Sequence, residues 1–98
     1  MNTTSLLRFN VRDINWQGDA WDEYLSFQTD KTMLRKINNL LKEIRRNGYM
    51  LSLGRPELLT GDLSGYASVR ISQKNRLVFR ATDDAIFILQ CGGRYDGH

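Results

Sequence analysis

Hydrophobic residues recur at helical spacing in the first half of the chain and predict two helices. The stripe of the first helix is formed by Ala20, Trp21, Tyr24, Leu25 and Gln28. The second helix begins after Asp30, a suitable N-cap, and ends at Asn47-Gly48. Its apolar stripe extends over about four turns and contains Met33, Leu34, Ile37, Leu40, Leu41 and Ile44. Both stripes are typical of helix faces that pack in a hydrophobic core.

The second half of the chain has strand-like patterns. Three strands are predicted, at residues 66–72, Arg76–Ala81 and Ala85–Cys91. The last of these runs is apolar on both faces, which predicts a central position between other strands. A short leading strand is also predicted at Asp13–Trp16, and residues 49–65, rich in glycine and other turn formers, predict a loop. A loop of this length is uncommon in a compact domain unless it has a function.

The alternation of apolar and polar residues predicts how the first two of these strands pair. An odd loop at residues 73–75 places Ile71 opposite Leu77, so that apolar side chains share one face. An even loop would instead place an arginine among core residues. With the odd loop, three arginines share the face opposite the helices: Arg70, Arg76 and Arg80.

The order of helices followed by strands predicts an α+β fold. We expect two N-terminal helices packed on one face of a mainly antiparallel, twisted sheet of about four to five strands. With 98 residues, the chain has room for one core, so residues 1–98 are predicted to form a single domain. Residues 1–12 are candidates for an N-terminal extension, as either an added strand or a leader without fixed structure.

Composition narrows the class of protein. Hydrophobic residues make up 41% of the chain and charged residues 26%, as in globular proteins. No apolar run approaches the roughly 18 to 20 residues that a membrane span needs, and the N-terminus lacks the apolar core of a secretory signal. Cys91 is the single cysteine, so no intramolecular disulfide can form. These features predict a soluble, cytoplasmic protein with no membrane partner, in which Cys91 is a buried thiol.

Charge is distributed unevenly along the chain. The net charge is +3, but residues 1–30 hold 2 basic and 5 acidic side chains, whereas residues 31–98 hold 12 basic and 6 acidic ones. A basic, arginine-rich segment favours a polyanionic partner, since phosphate contacts release counterions. The alternative is a solvated basic face that has no partner.

Several segments, taken in order, resemble the YoeB/Txe toxins of the RelE superfamily. These toxins are ribosome-dependent mRNA endoribonucleases that are paired with YefM-type antitoxins. The resemblance extends from about Asn15 to Tyr95. It is carried by Trp16, by residues 20–25 (AWDEYL), by residues 36–38 (KIN) with Leu40 and Ile44, by residues 54–59 (GRPELL), by residues 62–71 (DLSGYASVRI) and by residues 75–79 (NRLVF). Each segment alone is weak, but their combined order and spacing are specific.

The resemblance implies a reaction and the residues that perform it. Such toxins cut mRNA without a metal or other cofactor, by attack of a 2′-OH on the adjacent phosphorus. It implies that Glu57 is the base and that Arg76 stabilises the phosphate, while Arg55 and Arg70 bind the RNA backbone. The predicted arginine cluster adds Arg80 to the RNA-binding set. Read without the family, Glu57 is still the only acidic residue between Glu43 and Asp62, in a loop beside the basic sheet. The alternative is that Glu57 is an exposed loop glutamate and Arg76 a surface strand arginine.

The C-terminus departs from the family pattern, which ends in a His-Tyr pair. Tyr95 matches the tyrosine, but Arg94 stands where the family has its histidine. Because a guanidinium is a poor proton donor near neutral pH, the general acid is open. Arg94 can stabilise charge while water donates the proton, His98 can fold back, or Tyr95 can donate. A slow enzyme is the fourth alternative.

The resemblance also implies the partners. They are a cognate YefM/Phd-type antitoxin and the 70S ribosome with its mRNA, and the choice between a monomer and a homodimer is open. The second hypothesis for function is a non-catalytic module on the same scaffold, which binds the ribosome or the antitoxin after loss of the histidine.

Overall fold

A computed structural model describes residues 11–93 of the chain, and within them it has two helices and five strands. The elements in chain order are β1 (Asp13–Trp16), α1 (Ala20–Leu25), α2 (Lys31–Asn47), β2 (Glu57–Leu58), β3 (Ala67–Arg70), β4 (Arg76–Ala81) and β5 (Ala85–Cys91). A single 3-10 turn, Gly61–Leu63, lies between β2 and β3. The arrangement confirms the α+β fold that the sequence pattern predicts.

All five strands belong to one mixed sheet in the order β1-β5-β4-β3-β2. β1 is parallel to β5, and the other neighbouring strands are antiparallel. β5 lies between β1 and β4, which confirms the central position predicted from its apolar faces. β1 and β2 form the two edges, so the short strand β2 is accessible from one side.

Local sequence signals set the limits of α2. The Asp30 carboxylate accepts a hydrogen bond of 3.1 Å from the Met33 amide and caps the first turn. Gly48 ends the helix with a φ of +63°, a conformation that favours glycine. The first helix is shorter than its pattern predicts, because after Leu25 the amides of Phe27 and Gln28 bond back three residues instead of four.

One face of the sheet and the two helices enclose the core. Phe79, Ile37, Ile44, Leu77, Ile86 and Ile88 are among the fully buried side chains. Each such side chain contributes about 1.5–3 kcal/mol through removal of its apolar surface from water. Cys91 is also fully buried, as predicted. Burial, with a smaller contribution from the charge of Glu23, raises the pKa of its thiol to about 12.

The pairing of β3 with β4 differs from the predicted register. The predicted partner of Leu77 was Ile71, whereas the structure pairs Leu77 with Val69, a shift of two residues. β3 ends at Arg70 because the Ile71 amide bonds to the Asn75 carbonyl at 2.8 Å and begins a longer turn. The turn remains odd in length, so the apolar side chains still share the core face and the arginines the opposite face.

The segment that was predicted to be a loop contains a strand. β2 pairs with β3 through two residue pairs, Glu57 with Ser68 and Leu58 with Ala67. The prediction of an uninterrupted loop at residues 49–65 was therefore wrong. The strand was missed because two residues are too few to give a periodic signal in the sequence. The strand fixes the position of the Glu57 backbone relative to the sheet.

Arg12 forms hydrogen bonds with the last turn of α2. The amide and Nη1 of Arg12 donate to the Arg45 carbonyl at 3.1 Å each, and the Arg45 Nε donates to the Arg12 carbonyl at 2.7 Å. The proposed N-terminal extension otherwise lies outside the described residues, which begin at 11.

Candidate active site

Glu57 stands on the edge of the sheet. Its strand position opposite Ser68 fixes the backbone, and 70% of its side-chain surface remains exposed. The preceding turn packs closely on the sheet, because a Cβ on Gly54 would lie 2.9 Å from Cγ2 of Val69. A glutamate with a fixed backbone and an exposed carboxylate can reach a bound substrate as a base.

The loop that leads to Glu57 is held by Glu43 of α2. Its carboxylate accepts hydrogen bonds from the Ser52 hydroxyl at 2.6 Å, from the Leu53 amide at 3.0 Å and from the Ser52 amide. The bond from the Ser52 hydroxyl contributes most to lowering the pKa of Glu43 below its ordinary value of 4.5, while desolvation opposes it. At neutral pH this carboxylate therefore ties the loop to the helix.

Arg76, the first residue of β4, is oriented by Ser68. Its Nε donates to the Ser68 hydroxyl at 2.6 Å, and its Nη2 donates to the Ser68 carbonyl at 3.3 Å. The same Nη2 lies 3.7 Å from Oε1 of Glu57. Because 23% of the Arg76 side chain is exposed, the guanidinium is partly shielded but open to a ligand. Glu57 and Arg76 are thus adjacent in the fold, although they lie on different strands.

Two arginines face each other across β3 and β4. Arg70 is the register partner of Arg76. Like charges that are directly opposite in a sheet destabilise it. Among residues 11–93, the side chains of Arg70 and Arg55 form no hydrogen bond or ion pair. Two cations without partners beside Arg76 are typical of an anion-binding site.

These side chains line one cleft. The cleft has a volume of about 690 Å³, and its walls are formed by Leu53, Gly54, Arg55, Pro56, Glu57, Arg70, Ile71 and Arg76. Four residues predicted from the sequence therefore come together here: Glu57, Arg76, Arg70 and Arg55. One carboxylate among three guanidinium groups suits a reaction that removes a proton and adds negative charge to a phosphate.

Arg80 does not line this cleft. It lies four residues after Arg76 on β4, which corresponds to about 13 Å along the strand. Its guanidinium carbon lies 4.3 Å from the ring centre of Phe87 and 5.9 Å from that of Tyr66. The predicted cluster of three arginines is therefore divided, with Arg80 engaged by aromatic rings.

The C-terminal candidates Arg94, Tyr95 and His98 lie outside the described residues, which end at Gly93. The last described residues pass beside the site. The Arg76 amide donates to the Gly93 carbonyl, and the Gly92 amide donates to the Arg76 carbonyl, both at 2.9 Å. The backbone of Arg76 is thus held by the segment that immediately precedes Arg94.

Two residues that position the site were not found from the sequence. Ser68 is fully buried, and its contact with Arg76 depends on the strand register. Glu43 lies on a helix, nine residues from its partner Ser52. The single sequence signal for Ser68 is a polar position in an alternating strand, which does not specify a partner.

Within residues 11–93, no three side chains of the metal-binding types His, Cys, Asp and Glu come together. In the same range, neither helix combines the length and apolar character needed to cross a bilayer.

Comparison with known proteins identifies the family. The model of the "YoeB-like toxin of bacterial type II toxin-antitoxin system" matches residues 16–95. The chain is similar to Toxin YoeB of Escherichia coli strain K12, with 43% identity over 81 residues that cover 82% of this chain and 95% of that protein.

Solved structures agree with this match. The YoeB dimer from Staphylococcus aureus is similar with a TM-score of 0.77 and 42% identity, covering 86% of this chain and 98% of that chain. The YoeB-YefM complex from the same organism gives a TM-score of 0.76 and 41% identity, with the same coverage. The motifs, the fold and these similarities lead to one conclusion: the chain belongs to the YoeB-like toxins of bacterial type II toxin-antitoxin systems.

Proposed function

We propose that this toxin is a metal-independent endoribonuclease that cuts mRNA in the A site of the ribosome and thereby inhibits translation. The observation that supports the proposal most is the 3.7 Å approach of Glu57 to Arg76 in an open cleft that Arg55 and Arg70 also line. A carboxylate beside a cation is what the cleavage of a phosphodiester requires when no metal ion takes part.

In the proposed reaction, the Glu57 carboxylate removes the proton from a ribose 2′-OH. The 2′ oxygen forms a bond to the adjacent phosphorus, and the bond from phosphorus to the 5′ oxygen breaks. One product ends in a 2′,3′-cyclic phosphate and the other begins with a 5′-OH, once the departing oxygen has gained a proton. Arg76 stabilises the additional negative charge on the phosphoryl oxygens, while Arg70 and Arg55 bind the adjoining RNA backbone.

The group that gives a proton to the departing 5′ oxygen is the subject of a separate proposal. Arg94 stands at the family's histidine position, and a guanidinium stabilises charge better than it donates a proton. Water, Tyr95 and His98 are the alternative donors. Substitution of each side chain, followed by measurement of the cleavage rate against pH, separates them, since loss of the residue that donates the proton removes the basic limb of the profile.

The ribosome is the proposed source of the substrate. A cleft of about 690 Å³ contacts only a few nucleotides, so it gives this small protein little surface with which to select an mRNA. The unpaired arginines also suit contacts with phosphate groups of RNA, which bind without sequence preference.

A YefM-type antitoxin is the proposed protein partner. The similar Staphylococcus aureus toxin is found in a YoeB-YefM complex and also as a YoeB dimer. We propose that the antitoxin covers this cleft with acidic side chains that pair with the free arginines, and that the toxin alone also forms a homodimer.

One observation favours a second candidate function. The replacement of the family's histidine by Arg94 removes its usual acid, as expected for a module that binds the ribosome or the antitoxin without cutting RNA. Sedimentation with programmed ribosomes whose mRNA stays intact would support this alternative over the enzyme.

Induced expression in a bacterial host that lacks the antitoxin tests the function. We expect the wild-type chain to stop incorporation of a labelled amino acid, and Glu57→Gln to allow it. Asp83→Asn is the matched control, because Asp83 is an exposed acid in the turn before β5 and should leave toxicity unchanged. Continued translation with folded wild-type protein present would contradict the proposal.

A further inference from the structure

A second pocket adjoins the cleft that contains Glu57 and Arg76. It lies between α2 and the end of β3 and has a volume of about 220 Å³. Its lining residues are Lys36, Asn39, Leu40, Leu53, Arg70 and Ile71. Leu53, Arg70 and Ile71 also line the larger cleft, so the two spaces are continuous across Arg70.

The polar side chains of this pocket have no partner among the residues that the structure describes. Among residues 11–93, the side chains of Lys36, Asn39 and Arg70 form no hydrogen bond or ion pair. All three are at least partly accessible to solvent. An ammonium, an amide and a guanidinium that converge without protein partners form a suitable site for an anion attached to a hydrogen-bonding ligand.

The pocket also has apolar lining residues. Leu53 is 57% exposed, although leucine is normally buried, and Leu40 and Ile71 form a buried floor beneath it. An apolar wall beside an amide is suited to a nucleobase, since a base offers an apolar face and hydrogen-bonding edges. The Asn39 amide carries both donors and acceptors for such an edge.

We infer that this pocket binds the nucleotide next to the phosphate that is cleaved. Arg70 and Lys36 contact its phosphate, while Leu53 and Asn39 contact its base. The inference rests on the proposed function, because it treats the larger cleft as the place where RNA reacts. It adds a base-selecting contact, so that Asn39 influences which sequences are cut.

The test measures binding to the free protein. The probes are single-stranded trinucleotide RNAs with 2′-O-methyl groups, which cannot supply the attacking hydroxyl. We expect Lys36→Gln and Asn39→Ala each to weaken binding by about three- to tenfold. Lys31→Gln, on an exposed residue of the same helix outside the pocket, should bind as the wild type does.

The salt dependence of binding distinguishes the phosphate contact of Lys36 from the base contact of Asn39. Lys36→Gln should reduce the slope of log affinity against log salt by about 0.7, the value for one lost phosphate contact on a single strand. Asn39→Ala should leave the slope unchanged and should reduce the difference in affinity among trinucleotides of different base. Wild-type affinity in both variants, an equal loss in Lys31→Gln, or no binding by wild type at about 1 mM RNA would overturn the inference.

The outcome for the pocket can be distinguished from that for the enzyme. If both pocket variants weaken binding but mRNA is never cut, the proposed reaction fails and the pocket remains as a site that binds single-stranded RNA. If mRNA is cut while both variants bind trinucleotides normally, the reaction stands and the nucleotide site fails.

Discussion

The hydroxyl of Ser68 accepts a hydrogen bond of 2.6 Å from Nε of Arg76, and both residues lie on the face of the sheet opposite the helices. Ser68 is also the register partner of Glu57 on β2. One buried serine therefore stands next to the backbone of the proposed base and against the side chain of the proposed phosphate-binding arginine. This relationship gives Ser68 a positioning role that can be measured.

Replacement of Ser68 by alanine should lower kcat more than it raises KM. A hydrogen bond to a charged group contributes about 1.5–3 kcal/mol, so we expect a loss of about ten- to a hundredfold in cleavage rate. Single-turnover cleavage on programmed ribosomes measures the effect, and Ser64→Ala is the exposed control.

A double-mutant cycle separates positioning from general damage. If Ser68 acts through Arg76, then Ser68→Ala should cause little further loss of cleavage rate in a chain that already carries Arg76→Ala. Additive losses in the two variants would show that Ser68 contributes in another way.

Substitution of Arg70 should stabilise the fold and impair the reaction. Arg70 faces Arg76 across the strands, and like charges at such positions are unfavourable by about 0.2–1 kcal/mol. Arg70→Gln should therefore raise the urea midpoint while it slows cleavage. Arg35→Gln, an exposed change on α2, serves as the reference for removal of a positive charge. A lower midpoint in Arg70→Gln than in Arg35→Gln would contradict this account.

Acidification should release the loop before Glu57. The pKa of Glu43 is lower in the fold than its ordinary value of 4.5, mainly through the Ser52 hydroxyl. The stabilisation is present above about pH 4.5 and is lost as the pH falls through the lowered pKa of the folded state. Hydrogen exchange at the Leu53 amide, corrected for its intrinsic rate, should accelerate in this range.

Glu43→Gln is the control for the loop prediction. Without a titrating carboxylate at this position, exchange at the Leu53 amide should already be faster at neutral pH and should change less on acidification. An identical pH dependence in the variant and the wild type would show that another group controls the loop.

Gly92 should tolerate a side chain less well than Gly18. Both have a positive φ, but a Cβ on Gly92 would lie 2.6 Å from Cε2 of Phe27, whereas a Cβ on Gly18 would meet no atom within 4 Å. Gly18→Ala should lower the free energy of unfolding by about 1–2 kcal/mol through backbone strain alone. Gly92→Ala should lower it further, as measured by urea unfolding, since Phe27 must also move. Equal losses would refute the proposed clash.

The parts of the fold that were predicted correctly depend on local signals. Asp30, the apolar stripe and Gly48 specify α2 without reference to the rest of the chain. The central position of β5 follows from its two apolar faces. The register of β3 with β4 was wrong by two residues, because the turn that begins at Ile71 is longer than the polar pattern indicates.

The candidate site was predictable in its residue types but not in its geometry. The motif around Glu57 and the alternation around Arg70 and Arg76 identified three residues that the fold brings together. Arg80 faces the same side of the sheet, yet four residues of β4 separate it from Arg76. The contacts of Ser68 and Glu43 depend on pairing across strands and on a loop path, which one sequence does not specify.

The ends of the cut mRNA test the central claim most directly. Programmed ribosomes are incubated with the purified toxin, and the fragments are analysed for their terminal groups. The account predicts A-site cleavage that leaves a 2′,3′-cyclic phosphate and a 5′-OH in the presence of a chelator, with loss of the fragments in Glu57→Gln and Arg76→Ala. Intact mRNA on ribosomes that carry bound wild-type toxin, or equal cleavage by Glu57→Gln, would contradict it.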